Sequence, residues 1–317
     1  MTANKPDYHV PVMLPECIDA LNIDPSGIYV DVTFGGGGHS KEILKRLNEK
    51  GRLFAFDQDL DALANAIDDS RFQLINENFR YIKRFLRFYG VKEVDGILAD
   101  FGVSSHQFDV AERGFSTRFE ADLDMRMNQK SQLSAFHVIN EYDEEQLKNV
   151  FFQYGELRAA GAMAKVIIEH RKDTIIKTSE QLKKVLNKFL PPRHENKVLA
   201  QIYQAIRIEV NQEIEVLKEF LLQTPQILKK GGRLSCISYH SLEDRLVKST
   251  FRKWSRACLC PPRAMVCRCG WSQKVRPLTK KPVLPSAFEI ETNSRAISCQ
   301  GYVRLKKRRK GCVGAKL

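Results

Sequence analysis

A run of glycines next to an acidic residue is the first feature of this chain that could do chemistry. Four glycines, residues 35–38, follow Asp31 between a predicted strand and a predicted helix. Glycines let the backbone turn sharply and approach a ligand closely. Asp57 lies 19 residues beyond Gly38, at the end of the next predicted strand, where a carboxylate can accept hydrogen bonds from ribose hydroxyls. Three readings follow: a dinucleotide site, an S-adenosylmethionine site, or a turn that binds nothing.

Asp31 distinguishes between a dinucleotide and S-adenosylmethionine as the ligand. S-adenosylmethionine has an amino group and a sulfonium but no phosphate, so a carboxylate beside the glycines attracts its cationic part. The same carboxylate would repel a pyrophosphate, and the G-x-G-x-x-G spacing of dinucleotide sites is absent here. The residues therefore favour S-adenosylmethionine, with Asp31, Gly35, Gly37 and Gly38 in its site.

A second acidic residue, Asp100, ends the fourth predicted strand. Ligands of open α/β sheets bind at the carboxyl ends of the strands. Asp100 could there hold an amino group of the cofactor or of the substrate, or it could cap the helix that follows. Further candidates for moving a proton are Ser104, Asp109, Asp124, His137 and His240. Of the two histidines His240 is preferred, because it follows a predicted strand.

Four of the eight cysteines form a separate cluster. Cys258, Cys260, Cys267 and Cys269 give the pattern C-x-C-x6-C-x-C in a segment rich in proline and arginine. Four thiolates can close a tetrahedral zinc site, although zinc ribbons usually have two residues between paired cysteines. A structural zinc, free thiols and redox pairing all remain open.

Alternating strands and helices position the residues of the glycine loop. The predicted strands are 28–32, 52–57, 71–75 and 94–99, and the predicted helices between them are 39–50, 60–67 and 79–89. This rhythm predicts a parallel sheet built from βαβ units.

The rhythm changes after the fourth strand. Helical patterns cover 141–152, 157–172, 179–189 and 195–222, with no convincing strand, before a strand at 233–238 and a helix at 242–253. The prediction is an α/β domain with a first part at 1–105 and a second part at 209–317. A helical insertion at 106–208 lies between them.

Charge is distributed unevenly along the 317 residues. The chain has 51 basic and 38 acidic residues and a net charge of +13, which is typical of proteins with a polyanionic partner. Residues 250–317 hold 17 basic and 2 acidic residues, including the run KKRRK at 306–310, whereas residues 106–210 are nearly balanced, with 16 and 15. The excess predicts a C-terminal arm that contacts phosphates.

The same composition predicts a cytoplasmic protein without a membrane anchor. No run of 18 apolar residues is present, and the N-terminus lacks the apolar stretch of a secretion signal.

Nine ordered stretches resemble the bacterial 16S rRNA (cytosine-N4)-methyltransferases of the H type. They are HVPV (9–12), DVTFGGGGHS (31–40), DFGVSSHQ (100–107), AERGFS (111–116), LDMRM (123–127), YGE (154–156), QAIRI (204–208), GGRL (231–234) and SYHSLEDR (238–245). Together they are much more specific than a glycine loop alone.

The resemblance implies an α/β, class I (Rossmann-like) S-adenosylmethionine methyltransferase with a helical insertion for substrate recognition. It implies methylation of a decoding-centre cytidine in 16S rRNA of the small ribosomal subunit, by a monomer or a dimer. By matching position, the cofactor contacts would be Gly37, Gly38, His39, Asp57, Phe79, Asp100 and Gln107. Some members of this family carry similar cysteine pairs.

This chain departs from the family pattern at four places. His106 replaces a proline, Ala121-Asp122 replaces Gly-Pro, Leu157 replaces a second glutamate, and Ile297 replaces an arginine. The first three leave the cofactor residues intact, whereas the last removes one basic side chain near the C-terminus.

Other functions predict different behaviour. Another nucleic-acid amine methyltransferase would share the cofactor but not the target. A nicotinamide oxidoreductase would bind NAD(H) instead, and Asp31 opposes it. A non-catalytic RNA-binding protein would use the basic arm and the cysteine loop, but it leaves Asp57 and the glycines unexplained.

Overall fold

The computed structural model describes residues 11–261, 263–264, 266–279, 281–293, 296, 299 and 301–307. The chain divides into two compact units, which we call the sheet unit (residues 1–102 and 216–317) and the helical unit (residues 103–215). His9, Val10, Ile297, Cys312 and residues 308–310 of the basic run lie outside the described residues. The assignment of the helical unit to substrate recognition stays a prediction.

One sheet of seven strands forms the centre of the sheet unit. Its strands are β1 (Ile28–Asp31), β2 (Arg52–Phe56), β3 (Phe72–Ile75), β4 (Val94–Asp100), β5 (Leu228–Ser238), β6 (Val275–Pro277) and β7 (Gly301–Lys307). Their order across the sheet is β3-β2-β1-β4-β5-β7-β6. The first five are parallel, β7 is antiparallel to β5, and β6 is antiparallel to β7. The predicted α/β class is confirmed.

The strand order reverses direction between β1 and β4. The chain builds outward from β1 to β3 and then returns to place β4 on the other side of β1. A crevice forms at such a switch point, outside the carboxyl ends of the two strands. The residues that end β1 and β4, Asp31 and Asp100, therefore share that edge of the sheet.

Alternating side chains give the sheet two buried faces. Val30, Phe54 and Ile97 belong to one core with residues of the helices at 82–88, 213–227 and 241–255. Their chain neighbours Tyr29, Leu53 and Leu98 belong to the other core, with residues of the helices at 14–21 and 38–46. Burial on both faces explains why the strands read as nearly continuous apolar runs.

The helices of the sheet unit are α1 (Leu14–Leu21), α2 (Gly38–Arg46), α3 (Ile82–Phe88), the part of α10 (Glu213–Ile227) from residue 216 onward, α11 (Ser241–Ser255) and α12 (Ala287–Thr292). Among them, α2 and α3 are shorter than predicted and α11 is slightly longer. The helix predicted at 60–67 is a 3-10 helix, Leu60–Asn65, and Phe79–Tyr81 forms another 3-10 turn before α3.

The helical unit contains six helices and its own apolar core. They are α4 (Ser105–Asp109), α5 (Ala135–Glu141), α6 (Glu144–Gln153), α7 (Ala160–His170), α8 (Ser179–Leu186) and α9 (Glu195–Asn211). The stretch predicted as one helix over 195–222 is two, α9 and α10, because Gln212 takes a left-handed conformation with φ 50°. Among the described residues of either unit, no helix is both long enough and apolar enough to cross a membrane.

Two strands of the sheet were not predicted from the sequence. β6 has only three residues, and β7 lies in the segment that reads as a basic arm. Lys306 and Lys307 end β7 and pair with Arg276 and Val275 of β6, so the first two residues of the KKRRK run belong to the sheet.

Gly96 and Gly161 give a matched pair of predictions on stability. A Cβ at Gly96 would lie 2.7 Å from the ring of Tyr29 in the core, whereas at Gly161 the nearest such atom, Lys148 Cδ, is 3.7 Å away. We expect Gly96→Ala to lower the stability of the sheet unit by about 1–3 kcal/mol. Gly161→Ala in α7 should raise that of the helical unit by about 0.5 kcal/mol. Amide hydrogen exchange, measured separately for β4 and α7 peptides, checks both signs, and unchanged protection of β4 in Gly96→Ala would contradict the close packing.

Candidate cofactor site and cysteine cluster

The glycine loop connects β1 to α2 with two left-handed residues. Gly35 has φ 51° and Gly37 has φ 75°, a conformation that residues with a Cβ rarely adopt. Gly38 begins α2, and a Cβ there would lie 2.2 Å from Pro11 Cγ. The loop therefore depends on glycine for its turn and for its close approach to the N-terminal segment.

Asp31 is buried at the end of β1. Its Oδ2 accepts a hydrogen bond from Ser40 Oγ at 2.7 Å, and its Oδ1 accepts one from Thr33 N at 3.1 Å. Burial raises the pKa of Asp31, while His39 and these two hydrogen bonds act in the opposite direction. A nearby cation would therefore stabilise the ionised form.

Asp57 follows β2 and faces the glycine loop. Its Oδ2 accepts a hydrogen bond from Gly35 N at 2.8 Å, and its Oδ1 accepts one from Asp59 N at 2.9 Å. Burial raises the pKa of Asp57 to about 6, although both N–H groups favour the carboxylate. The two oxygens keep lone pairs that can accept further hydrogen bonds, such as those of ribose hydroxyls.

Asp100 is held at the end of β4 by three neighbours. Its N–H donates to Thr33 Oγ1 at 2.7 Å, and its Oδ1 accepts from the Tyr239 hydroxyl at 2.7 Å. Its Oδ2 lies 3.9 Å from His39 Nδ1. The side chain is thus fixed in orientation and lies against His39 of α2.

Carboxylates dominate the electrostatics of this edge of the sheet. The charge of Asp100 raises the pKa of Asp31, and the charge of Asp31 raises that of Asp57. His39 is buried, and its Nε2 has no hydrogen-bond partner among the described residues. Such a site suits a ligand with a cationic group and hydroxyl donors, and it opposes a pyrophosphate. These residues fit S-adenosylmethionine.

Phe79 belongs to an aromatic group beside the sheet. Its ring centroid lies 6.1 Å from that of Phe101 and 5.4 Å from that of Phe220. Phe79 is only partly buried, so part of its ring stays accessible. Its contact with an adenine stays a prediction.

The candidates in the helical unit have structural partners. Ser104 and Gln107 form the capping box of α4, with Ser104 Oγ accepting from Gln107 N at 3.2 Å. Asp109 pairs with Arg118 at 3.1 Å. Ser104 therefore has a structural role as a helix cap, and Asp109 has one in an ion pair.

Asp124 is also engaged within the helical unit. It accepts from Arg126 Nε at 2.7 Å and from Arg126 Nη2 at 2.8 Å. Burial acts to raise the pKa of Asp124, but the hydrogen bonds from Arg126 outweigh it and hold the pKa below its usual range. A carboxylate with a lowered pKa is a weak proton acceptor.

Both candidate histidines belong to helix capping boxes. His240 precedes α11, where its Nδ1 accepts from Glu243 N at 3.4 Å and its Nε2 lies 3.0 Å from Glu243 Oε1. His137 forms the capping box of α5 with Ser134. The cap contacts account for both side chains without a catalytic role.

The sequence did not predict a role in the site for Thr33, Ser40 or Tyr239. Thr33 and Ser40 lie inside the glycine-loop stretch, and Tyr239 lies inside SYHSLEDR, so only the stretches pointed to them. The contacts of Thr33 and Tyr239 with Asp100 join residues far apart in sequence, which no local pattern reveals.

The four clustered cysteines converge on one point. All four Sγ atoms lie within 4.8 Å of one another, with Cys258–Cys267 at 3.3 Å, Cys258–Cys269 and Cys267–Cys269 at 3.6 Å, and Cys260–Cys267 at 3.9 Å. A tetrahedron of thiolates about 2.3 Å from a zinc ion has edges of about 3.8 Å. Backbone N–H groups of Leu259 and Trp271 lower the pKa of Cys269, whereas the backbone N–H of Cys260 is outweighed by the neighbouring thiols, which raise the pKa of Cys258. The donor set therefore fits zinc.

Comparison with known proteins relates this chain to one family. The model of the MraW methylase family matches residues 7–307. A protein of Christiangramia forsetii named ribosomal RNA small subunit methyltransferase H is 62% identical over 298 residues, covering 93% of this chain and 96% of that protein. A protein of the same name from Flavobacterium johnsoniae is 69% identical over 242 residues, covering 76% of this chain and 80% of that protein.

A solved structure of an rRNA methylase from Streptococcus thermophilus is 12% identical, with a TM-score of 0.43 and coverage of 95% of this chain and 99% of that chain. The sheet unit itself is an open α/β sheet with five parallel strands and two antiparallel strands at one edge. The family match extends over nearly the whole chain, and we conclude that this chain belongs to the MraW methylase family.

Proposed function

We propose that this chain transfers a methyl group from S-adenosylmethionine to the N4 amine of a decoding-centre cytidine in 16S rRNA of the small ribosomal subunit. The observation that carries the proposal is the set of carboxylates at the carboxyl ends of β1, β2 and β4. They lie in a chain whose relatives are named for methylation of small-subunit rRNA.

Most residues of the proposed cofactor site belong to the sheet unit. Asp57 accepts hydrogen bonds from the ribose hydroxyls, and Gly35, Gly37 and Gly38 allow close approach of the ligand. Asp31 stabilises the cationic part of the ligand, and His39 offers its buried Nε2 as a further polar partner. Phe79 contributes an apolar surface for the adenine. Gln107, whose backbone and side chain cap α4, is retained as a contact on the ground of the family resemblance.

S-adenosylmethionine supplies a methyl group whose bond to sulfur breaks as its bond to the N4 nitrogen forms. The N4 lone pair is delocalised into the cytosine ring, so positioning and stabilisation of positive charge are what the protein must add. Asp100 is suited to this because it can accept a hydrogen from an amino group while Tyr239 and Thr33 fix it in place. The target base must leave its stack to reach such a site.

Asp100 is thus the preferred catalytic residue. Ser104, Asp109, Asp124 and His240 remain weaker candidates, because each already serves a cap or an ion pair. We assign binding of the RNA around the target base to the helical unit and the basic C-terminal segment. We place the reaction in the cytoplasm, where the subunit is assembled.

The methyl-transfer proposal has a direct test. We expect wild-type protein to place one labelled methyl group from S-adenosylmethionine on N4 of the decoding-centre cytidine, in 16S rRNA or small subunits from cells that lack the enzyme. Mass spectrometry of the digested RNA identifies the nucleoside, and Asp100→Asn should slow transfer at least about tenfold. Methyl groups on another atom or nucleotide would contradict the target. Binding of NAD without S-adenosylmethionine in parallel titrations would contradict the chemistry.

The cofactor affinity should depend on pH through Asp57. Ribose hydroxyls donate to the ionised carboxylate, and this carboxyl is protonated below a pKa of about 6. The Kd for S-adenosylmethionine should therefore rise as pH falls, by about tenfold between pH 7 and pH 5. Isothermal titration calorimetry across that range checks the direction.

Asp57→Asn tests the same site at fixed pH. Loss of charge-assisted hydrogen bonds should raise the Kd by about 10- to 100-fold and flatten its pH dependence. Asp68→Asn, a change of an exposed carboxylate in the same unit, is the control and should leave the Kd unchanged. Equal affinities of the two variants would remove Asp57 from the site.

We also propose one structural zinc ion on Cys258, Cys260, Cys267 and Cys269. The support is the convergence of the four Sγ atoms at edge lengths close to those of a tetrahedral thiolate site. An exposed loop without a core of its own gains its stability from such a metal.

Metal analysis of protein purified without chelators tests the zinc proposal. We expect about one equivalent of zinc per chain, and less than half of that in Cys260→Ser/Cys269→Ser. Cys312→Ser changes a cysteine outside the cluster and should leave the zinc content at that of the wild type. A wild-type content below about 0.2 equivalents would refute the site.

A further inference from the structure

The segment that holds the four cysteines is strongly cationic. Between residues 252 and 276 there are seven basic residues and no acidic one: Arg252, Lys253, Arg256, Arg263, Arg268, Lys274 and Arg276. We call residues 256–274 the cysteine hairpin. None of these seven cations forms an ion pair with a carboxylate in the part of the chain that the structure describes.

Both ends of the cysteine hairpin are fastened to α11. Trp254 is buried and stacks on Phe251, with ring centroids 5.8 Å apart. The N–H of Lys274 donates to Trp254 O at 2.9 Å, and Trp271 Nε1 donates to Arg256 O at 3.1 Å. The hairpin therefore projects from a rigid helix at a defined place, and it is not a loose tail.

Its exposed side is built from cations around an aromatic ring. Lys253 Nζ lies 5.8 Å and Lys274 Nζ lies 4.6 Å from the centroid of the Trp271 ring, which is only partly buried. Arg256, Arg263 and Arg268 are exposed. Cations at this density repel one another, and four thiolates with one Zn²⁺ lower the formal charge only from +7 to +5. An anionic partner would relieve that repulsion.

We propose that the zinc-bound cysteine hairpin is a binding site for the sugar–phosphate backbone of single-stranded RNA in the substrate. This inference rests on the proposed function for its RNA partner. Arginines and lysines next to an accessible aromatic ring are the combination that binds single-stranded nucleic acid, through phosphates and base stacking. The helical unit has no comparable excess, because basic and acidic residues nearly balance there. The metal fixes the spacing of the two arginines, because Arg263 lies between the two cysteine pairs and Arg268 lies inside the second pair.

The test uses a fluorescein-labelled 12-nucleotide polyuridylate RNA, which carries no methylation target. Arg263→Gln/Arg268→Gln removes two exposed cations of the hairpin, and Arg84→Gln/Arg87→Gln removes two exposed cations of α3 as the matched control. For single strands, each phosphate contact adds about 0.7 to the slope of log K against log salt. The hairpin variant should therefore lose about 1.4 from that slope and bind several-fold more weakly, whereas the control should match the wild type.

Parallel measurements separate this proposal from the others. Zinc content and the Kd for S-adenosylmethionine should equal wild-type values in both arginine variants, which shows that the fold and the cofactor site are intact. Equal slopes for the hairpin variant, the control and the wild type would overturn the RNA site even where methyl transfer is normal. Displacement of the RNA by polyglutamate at the same charge concentration would also overturn it, because the hairpin would then be a site for any polyanion.

The role of zinc in RNA binding has a separate test. Removal of zinc by a chelator should weaken polyuridylate binding several-fold in wild type, and readdition of zinc should restore it. Identical RNA affinity with and without the metal would refute the organising role of zinc. A failure of the wild type to methylate rRNA would instead remove the proposed function while leaving the salt slopes to judge the hairpin.

Discussion

The burial of negative charge at the carboxyl edge of the sheet is the constraint on which the site depends. Removing a carboxylate from water is costly unless hydrogen bonds or cations replace the water. Asp31 receives them from Ser40 and Thr33, Asp57 from two backbone N–H groups, and Asp100 from Tyr239. The glycine loop follows from this requirement, because Gly35 must present its N–H to Asp57 while the chain turns into α2.

Thr33 connects the two strands that flank the switch point. Its backbone N–H donates to Asp31 of β1, and its hydroxyl accepts from the N–H of Asp100 of β4. One residue thus helps to set the relative position of Asp31 and Asp100, which are 69 residues apart in sequence. The proposed cofactor site therefore depends on the β1–β4 pairing as much as on the glycine motif, and β4 needs Gly96 to pack this closely against Tyr29.

The sequence predicts the parts of this architecture that repeat or that carry local signals. Buried strands alternate with amphipathic helices over the first hundred residues, so the parallel sheet and the position of Asp31, Asp57 and Asp100 at its edge could be expected. β6 could not, because three residues on an edge carry no periodicity. The break at Gln212 could not either, since a left-handed non-glycine residue has no composition signal. Asp124 looked free for catalysis because the ion pair with Arg126 depends on a turn that is visible only in three dimensions.

The uneven distribution of charge suits two ligands of opposite sign, the proposed cofactor and the proposed RNA. Cations close to Asp31, Asp57 and Asp100 would neutralise the carboxylates of the proposed cofactor site, so charge that binds phosphates would have to be carried on other elements. Residues 1–249 hold 34 basic and 36 acidic residues, so the whole positive excess lies beyond them. A short cationic segment cannot bury enough apolar surface to hold its own shape. A metal on the four cysteines, with Trp254 and Trp271 fastening the ends, would give such a segment a fixed structure without adding acidic residues that cancel its charge.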